Sequence, residues 1–336
     1  METKIGKIGF ILGKFYPLHK GHIHLIEYAA KNVERLIVII GSLKSETIAG
    51  EIRFGWLKQT FPNLEIHHLT DENPQYPEEH PDFWNIWKTS IRKCTPEKID
   101  FVFSSEIYGD TLAKCLDAKH ICVDLDRKTF PVSGTKIRKN PMKYWNYLSD
   151  AAKPYFVRKV VLYGPESTGK TTLSQKLANH FDTVWIPEFA REYLEVKANP
   201  MELEMSDFLN IAQGQIKLEE KAIHKANRIL ICDTDLLVTK VLSDHYMNSC
   251  LEFISIEAYS REYALHLLTY TDIPWVADVL RDRPNQRAEM FQLFKIELEK
   301  ANRPYKLISG NFEERFQKAV EIIKREILME DNEREN

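Results

Sequence analysis

A chain of 336 residues, 43% of them apolar and 28% charged, is long enough for two domains that each bury a core of their own. Its formal charge of −3 gives no reason to expect affinity of the whole surface for nucleic acid or a membrane. Five cysteines (Cys94, Cys115, Cys122, Cys232 and Cys250) form no C-x-x-C pair and no metal-ligand spacing, which suits reduced thiols in a cytoplasmic protein.

The opening METKIGKIGFILG is too short before its polar loop to be a secretory signal, and no apolar run approaches the ~20 residues of a membrane span. Residues 6–12, 35–41, 64–69, 99–104 and 120–125 read as strands rich in Ile, Val and Phe. Between them, 21–33, 47–61 and 107–117 carry apolar residues at helical spacing; Ile23, Ile26, Ala30 and Val33 share one face. Strand–helix alternation predicts a parallel sheet covered on both sides. The stretch 71–83, DENPQYPEEHPDF, interrupts the rhythm with three prolines and reads as a long loop.

Within this half, GKFYPLHKGH (Gly13–His22) follows a strand and opens a helix. His19 and His22 stand one turn apart near a helix N-terminus, where each imidazole can offer an N–H to a phosphate oxygen. Gly13 permits close approach of a nucleotide, and Gly21 leaves room over the helix start. Metal binding by His19, His22 and His24 lacks a nearby Cys or acid to complete a site; ordinary surface histidines are the other bland alternative. PVSGTKIRKN (131–140) closes the half, with the hydroxyls of Ser133 and Thr135 ahead of a helical stretch and Arg138 one turn in. Loops at the carboxyl ends of different strands converge in a doubly wound sheet, so the two segments are expected to face one triphosphate.

A second α/β unit begins after SDAAKPYF, with the boundary placed between residues 153 and 154 and the unit running to about 330. Strands are predicted at 159–164, 183–186, 229–232, 265–270 and 305–308, and helices at 171–181, 203–226 and 312–328. GPESTGKT (Gly164–Thr171) matches G-x-x-x-x-G-K-[ST] between a strand and a helix, the context that confirms a phosphate-binding P-loop. Gly164, Glu166, Ser167, Thr168, Gly169, Lys170, Thr171 and Thr172 are therefore candidate ATP contacts, with Lys170 at the β/γ phosphates and Thr171 on Mg²⁺.

RILICDTD supplies Asp233 at a strand exit, as a metal-shell acid or a base, while Asp235 is equally suited to capping the next helix. Arg281, Arg283 and Arg287 cluster in what looks like a lid over the nucleotide, where guanidinium forks clamp phosphoryl charge. PEFAREY offers Glu188 and Arg191 to a small acceptor, and Trp185 could stack on an aromatic base or sit in the core. The unit reads as a small-molecule kinase.

GKFYPLHKGH with the later SGTKIR resembles the signature pair of the HIGH-type nucleotidyltransferases. Joined to GPESTGKTTL, DTD and WVADVLR, the chain resembles, over almost its whole length, the bifunctional NadR family. The resemblance implies two doubly wound α/β domains: a Rossmann-like nicotinamide-mononucleotide (NMN) adenylyltransferase and a P-loop ribosylnicotinamide kinase. It implies that Gly13, Lys14, Phe15, His19, His22, Ser133, Thr135 and Arg138 contact one ATP. The spaced tryptophans of the loop PDFWNIWKT, Trp84 and Trp87, become candidates for contacting the nicotinamide of NMN. Trp185, Glu188, Arg191 and Asp233 become candidates for ribosylnicotinamide.

The implied catalytic set is His19, His22 and Arg138 in one half and Lys170 and Asp233 in the other, with Mg²⁺, ATP, NMN, ribosylnicotinamide and NAD as ligands. Some family members carry a helix-turn-helix domain; a first strand at about residue 6 leaves no expectation of DNA binding here. Val279 stands where the family often has glycine, which bears on the lid. A fusion acting on a flavin or pantetheine precursor, or an ATP- or NAD-sensing regulator, stays open at this level, as does homo-oligomerisation.

Overall fold

Runs such as LIVII (36–40) and ILIC (229–232) are apolar at every position, so both faces of the strands must be covered, as in a parallel sheet with helices on either side. The computed structural model describes residues 4–200, 202–277 and 285–328. The chain divides into two compact units, Met1–Tyr155 and Phe156–Asn336.

The first unit contains β1 (Gly6–Gly13), α1 (Lys20–Asn32), β2 (Val33–Gly41), α2 (Gly50–Thr60), β3 (Glu65–Leu69), α3 (Phe83–Cys94), β4 (Phe101–Ser104), α4 (Gly109–Cys115), β5 (Lys119–Cys122) and α5 (Gly134–Lys139). Its five parallel strands lie in the order β3-β2-β1-β4-β5. Phe10 of β1 stands between Ile37 of β2 and Val102 of β4. These three pack with Ile91 of α3 and Leu112 of α4 on one face. Phe103, the next residue along β4, points the other way and meets Tyr28 of α1 edge-on at 6.3 Å. The chain reverses its direction of winding between β1 and β4, which opens a crevice at their carboxyl ends.

A short helix, α6 (Lys153–Phe156), lies at the junction of the two units. The second unit follows with β6 (Arg158–Tyr163), α7 (Lys170–His180), β7 (Trp185–Ile186), α8 (Phe189–Glu195), α9 (Met205–Ala222), β8 (Ile229–Cys232), α10 (Leu236–Met247), α11 (Glu252–Ser260), β9 (Leu265–Thr269), α12 (Arg287–Lys300), β10 (Tyr305–Ile308) and α13 (Phe312–Ile323). The sheet order is β10-β9-β6-β8-β7, all parallel. Strict alternation divides its two cores. Val160, Leu162, Ile229, Ile231 and Leu267 pack under α7 and α13, whereas Val161, Tyr163, Leu230, Cys232 and Leu268 pack under α9–α12.

Six helices escape the sequence reading, the short α6 and α8 among them. PDFWNIWKT, read as a loop, begins α3 at Phe83, two residues after Pro81, the last proline of the 71–83 segment. In α10 and α11 (LLVTKVLSDHYM and EFISIEAYS), apolar residues occupy too many positions for a single stripe to stand out. Helix α12 begins at Arg287, six positions past the end of WVADVLR. Among the described residues, no helix is long and apolar enough to cross a membrane.

Candidate active sites

In the first unit, the turn after β1 packs its own aromatic residues inward. Phe15 is buried at φ 47°, and its ring meets His22 edge-on at 5.1 Å. His19, only 6% exposed, precedes α1 and stacks on His22 with ring centroids 3.7 Å apart. The Nδ1 atoms of both rings are buried and find no partner among the described residues. Burial pushes the His19 imidazole down to about 4, with the Arg127 guanidinium adding to the effect. His22 is held well below the usual imidazole range, by burial first, then by His19 and Arg127. The pair is therefore neutral at pH 7, and an incoming anion supplies the charge that would let it protonate.

A cavity of about 80 Å³ lies against these rings, lined by His19, His22, His24, Glu106, Arg127 and Gly134 among others. Arg127, which the sequence reading missed, donates to the Glu106 carboxylate at 2.7 Å and to the Val132 carbonyl at 3.3 Å. The buried Ser104 hydroxyl donates to the Glu106 carbonyl at 2.9 Å while meeting His120 at 2.9 Å, so it ties down the loop that holds Arg127.

The SGTKIR segment meets the histidine loop directly. Ser133 is the N-cap of α5 and accepts from the Lys136 N–H at 3.3 Å. A Cβ on Gly134 would fall 2.3 Å from the Tyr16 carbonyl oxygen, so only glycine permits this approach. Arg138 donates to the same carbonyl and lies over the Tyr16 ring at 4.0 Å, and it also donates to the Thr135 hydroxyl at 3.3 Å. Tyr16, a residue without a motif role in the sequence, is thus the contact between the two signatures.

Other expected contacts sit farther from the cavity. Gly13 ends β1 with the Phe15 ring 3.1 Å from where its Cβ would be. Lys14 pairs with Glu46 at 3.1 Å, and Glu46 also receives the fully buried Arg53. Arg53 donates in turn to the Lys14 carbonyl at 2.6 Å, bracing the loop from behind. Trp84 and Trp87 both pack against the core, and neither lines the histidine cavity. Trp87 donates its indole N–H to the Pro74 carbonyl at 2.8 Å, fastening the proline-rich loop, and its ring lies against Gly41 at the end of β2.

In the second unit, Gly164 and Gly169 adopt φ of 137° and 79°, and Ser167 joins them at 53°, so the chain curls around a hollow at the start of α7. Such a curl points backbone N–H groups at an anion. Lys170 donates to the carbonyls of Gly164 (2.9 Å) and Pro165 (2.8 Å), spanning the loop it would leave to reach a phosphate. Thr168 turns inward instead: its buried hydroxyl donates to the Pro165 carbonyl and meets Thr269 at 2.7 Å, so its side chain is structural. Arg315, buried at the start of α13, donates to the Thr168 carbonyl at 2.7 Å and pairs with Asp272.

Asp233 leaves β8 facing the P-loop. It is 2% exposed, and its Oδ1 has no partner among the described residues. Burial pushes its carboxyl up to about 7, against the pull of Lys170 and of the hydrogen bond from Thr171; Glu188 adds to the rise. Asp235 takes the capping role, accepting from the Val238 N–H at 3.2 Å, and its other oxygen meets His266 at 2.8 Å where both are fully buried.

A cavity of about 480 Å³ joins Gly164 through Thr172 to Trp185, Glu188, Arg191 and Asp233. Arg287 lines it from the first turn of α12, donating to the carbonyls of Ile273 (3.0 Å) and Ser167 (3.1 Å). Arg281 and Arg283 lie outside the described residues. Trp275 also lines the cavity, with the Arg287 guanidinium 5.9 Å over its ring.

Comparison with known proteins follows this division. Residues 10–140 match the Cytidylyltransferase-like family and residues 159–315 the AAA domain family. The Trifunctional NAD biosynthesis/regulator protein NadR of Escherichia coli (strain K12) is 33% identical over 341 residues, which cover 94% of this chain and 82% of that protein. The chain belongs to the NadR family. Its first unit alone is also similar to the Nicotinamide-nucleotide adenylyltransferase of Methanococcus maripaludis (strain C5), 31% identical over 151 residues, or 41% of this chain and 81% of that protein.

Two crystal structures share the NadR fold. One, of a NadR protein in complex with NR, matches at a TM-score of 0.80 and 21% identity, covering 97% of this chain and 98% of that one. The other, in complex with NAD and AMP-PNP, also scores 0.80, at 20% identity. Both α/β units expected from the sequence are therefore present, a cytidylyltransferase-like sheet followed by a P-loop sheet.

Proposed function

We propose that the chain makes NAD in two steps, each consuming ATP. The second unit phosphorylates ribosylnicotinamide to NMN, and the first adenylylates NMN to NAD with release of pyrophosphate. The observation that carries the reading is the contrast between the two sites: one sets a buried carboxyl in reserve opposite its phosphate-facing loop, and the other sets two buried, unpartnered imidazoles there.

The kinase step begins from a neutral hydroxyl, which must lose a proton. Asp233, with a carboxyl near 7 and an oxygen unpartnered, suits that proton and is our proposed base. Lys170 and Arg287 neutralise phosphoryl charge, joined by Arg281 and Arg283. Trp185, Glu188 and Arg191 hold the riboside, in the cavity they share with Asp233. The Thr171 hydroxyl in the first turn of α7 is the oxygen donor that would hold Mg²⁺, an ion that binds through few protein oxygens and keeps several waters. Held there, such an ion would supply positive charge to offset that of the ATP phosphates.

Adenylyl transfer needs no base, because the attacking NMN phosphate is already an anion. His19 and His22 donate to the triphosphate, protonating as it arrives; Ser133, Thr135 and Arg138 close over it from the other loop. Gly13, Lys14 and Phe15 shape the nucleotide side, and Trp84 and Trp87 the NMN side. Rate enhancement is then positioning and electrostatics. We place the protein in the cytoplasm, where its substrates are small molecules.

Mixing the protein with ribosylnicotinamide, ATP and Mg²⁺ and following products by mass should show NMN, then NAD with pyrophosphate. Turnover of a flavin or pantetheine precursor instead, or tight ATP binding with no turnover, would sink the reading.

A further inference from the structure

On its α9 wall, the cavity of the second unit holds a polar group that the proposed chemistry leaves unused. Gln215 lies on the buried face of α9, 1% exposed, one turn beyond Ile211 and two beyond Phe208. All three line the cavity that contains Glu188, Arg191 and Asp233. Its Oε1 accepts the backbone N–H of Phe189 at 2.9 Å. That bond decides the orientation of the amide, since the reverse flip would set two donors against each other. The Nε2 is left buried with no partner among the described residues.

A buried amide nitrogen without an acceptor costs free energy that a fold rarely tolerates without a use. We infer that Gln215 is a substrate-reading residue of the kinase site, donating through Nε2 to an oxygen acceptor on the riboside. The inference rests on the kinase reading above and adds a specificity group to it. The surroundings fit a nucleoside: Phe208 and Ile211 offer apolar surface on the same face of α9, and Trp185 lines the same cavity. Phe189, whose N–H orients the amide, follows Glu188 directly in sequence, so the reader and the acceptor-holding acid are fixed by one turn of chain. Gly214 secures the arrangement, because a Cβ there would fall 2.0 Å from the Phe189 ring.

Two oxygens of the riboside could meet this donor, the carboxamide carbonyl and a ribose hydroxyl. The test compares Gln215→Glu with Gln215→Met. At pH 8 the glutamate keeps an acceptor for the Phe189 N–H and removes the donor, while methionine removes both at similar shape. Kinase KM is measured for ribosylnicotinamide, for pyridine riboside lacking the carboxamide, and for a 2′-deoxyriboside, alongside Tm and the KM for ATP.

Both variants should raise KM for ribosylnicotinamide by roughly tenfold or more, with ATP KM unchanged. The penalty should vanish for whichever analogue lacks the paired oxygen, which identifies the carbonyl or the hydroxyl. A riboside KM within twofold of the parent in both variants, or an equal penalty across all three substrates, would overturn the inference. Failure of the parent protein itself to bind and phosphorylate ribosylnicotinamide would instead remove the kinase reading on which it rests.

Discussion

The two phosphate-facing loops of this chain open helices in similar sheets but are prepared differently. At the start of α1, two imidazoles stack at 3.7 Å, neutral and without partners for their Nδ1 atoms. At the start of α7, a lysine ammonium spans the loop's own carbonyls, and a carboxyl near 7 waits opposite. The difference follows the nucleophile each reaction needs. A phosphate nucleophile arrives ionised and asks only for donors, whereas a hydroxyl asks for a base. Shape differs as well: the histidine cavity is about 80 Å³, and the P-loop cavity about 480 Å³, with room for an acceptor beside the phosphates.

The contrast breaks most visibly at the base. Asp233→Asn should lower the kinase rate by on the order of 10²–10⁴ and leave adenylyl transfer intact. In the parent, kinase kcat/KM should climb with pH up to about 7 and then level, because the basic form of Asp233 accumulates as pH rises through its value. The Asn variant should lose that limb. An unaltered rate and profile would remove Asp233 from proton transfer.

Separability is the next largest effect. His22→Ala should cost roughly 10²–10³ in adenylyl transfer and spare the kinase, and Lys170→Ala should do the reverse. If either change abolishes both activities in a folded protein, the two-site assignment is wrong.

The histidine pair also predicts an acid sensitivity. A histidine lowered in the folded state contributes stability above its unfolded value of 6.5, and that contribution is lost as pH falls toward the folded value. For His19, lowered to about 4, the loss by pH 4 amounts to roughly 3 kcal/mol, and it should appear in the unfolding of the first unit. ATP should take up protons on binding between pH 5 and 7, measurable by calorimetry in buffers of different ionisation enthalpy. No proton uptake would mean that the rings stay neutral against the triphosphate.

Two smaller effects sharpen the loops themselves. Gly134→Ala forces a Cβ against the Tyr16 carbonyl, so it should cost about 1–3 kcal/mol in stability and raise KM for ATP in adenylyl transfer only. Thr168→Val removes the inward hydroxyl bonds and should cost about 1 kcal/mol in stability, with kinase KM for ATP changed little.

Much of this was readable from the chain alone. RLIVIIG and KVVLYG could only be buried parallel strands, and GPESTGKT between a strand and a helix specifies its loop by local chemistry, since glycine backbones and one lysine suffice. GKFYPLHKGH likewise set two histidines one turn apart. What remained hidden depends on residues distant in sequence. Tyr16 joins the two N-terminal signatures through Gly134 and Arg138, more than a hundred positions away. Arg127 reaches the histidines from the segment after β5, and Gln215 points into the cavity from the middle of an ordinary amphipathic helix. Asp233 was legible as a strand-exit acid, but its carboxyl near 7 was not.

Local sequence determines where backbone N–H groups curl around an anion, because that depends on φ and on side-chain type within a few residues. Burial, pairing and the protonation that follows belong to the tertiary structure, because they are set by how much water the packed elements exclude and which charges they bring alongside. No window of sequence carries that information.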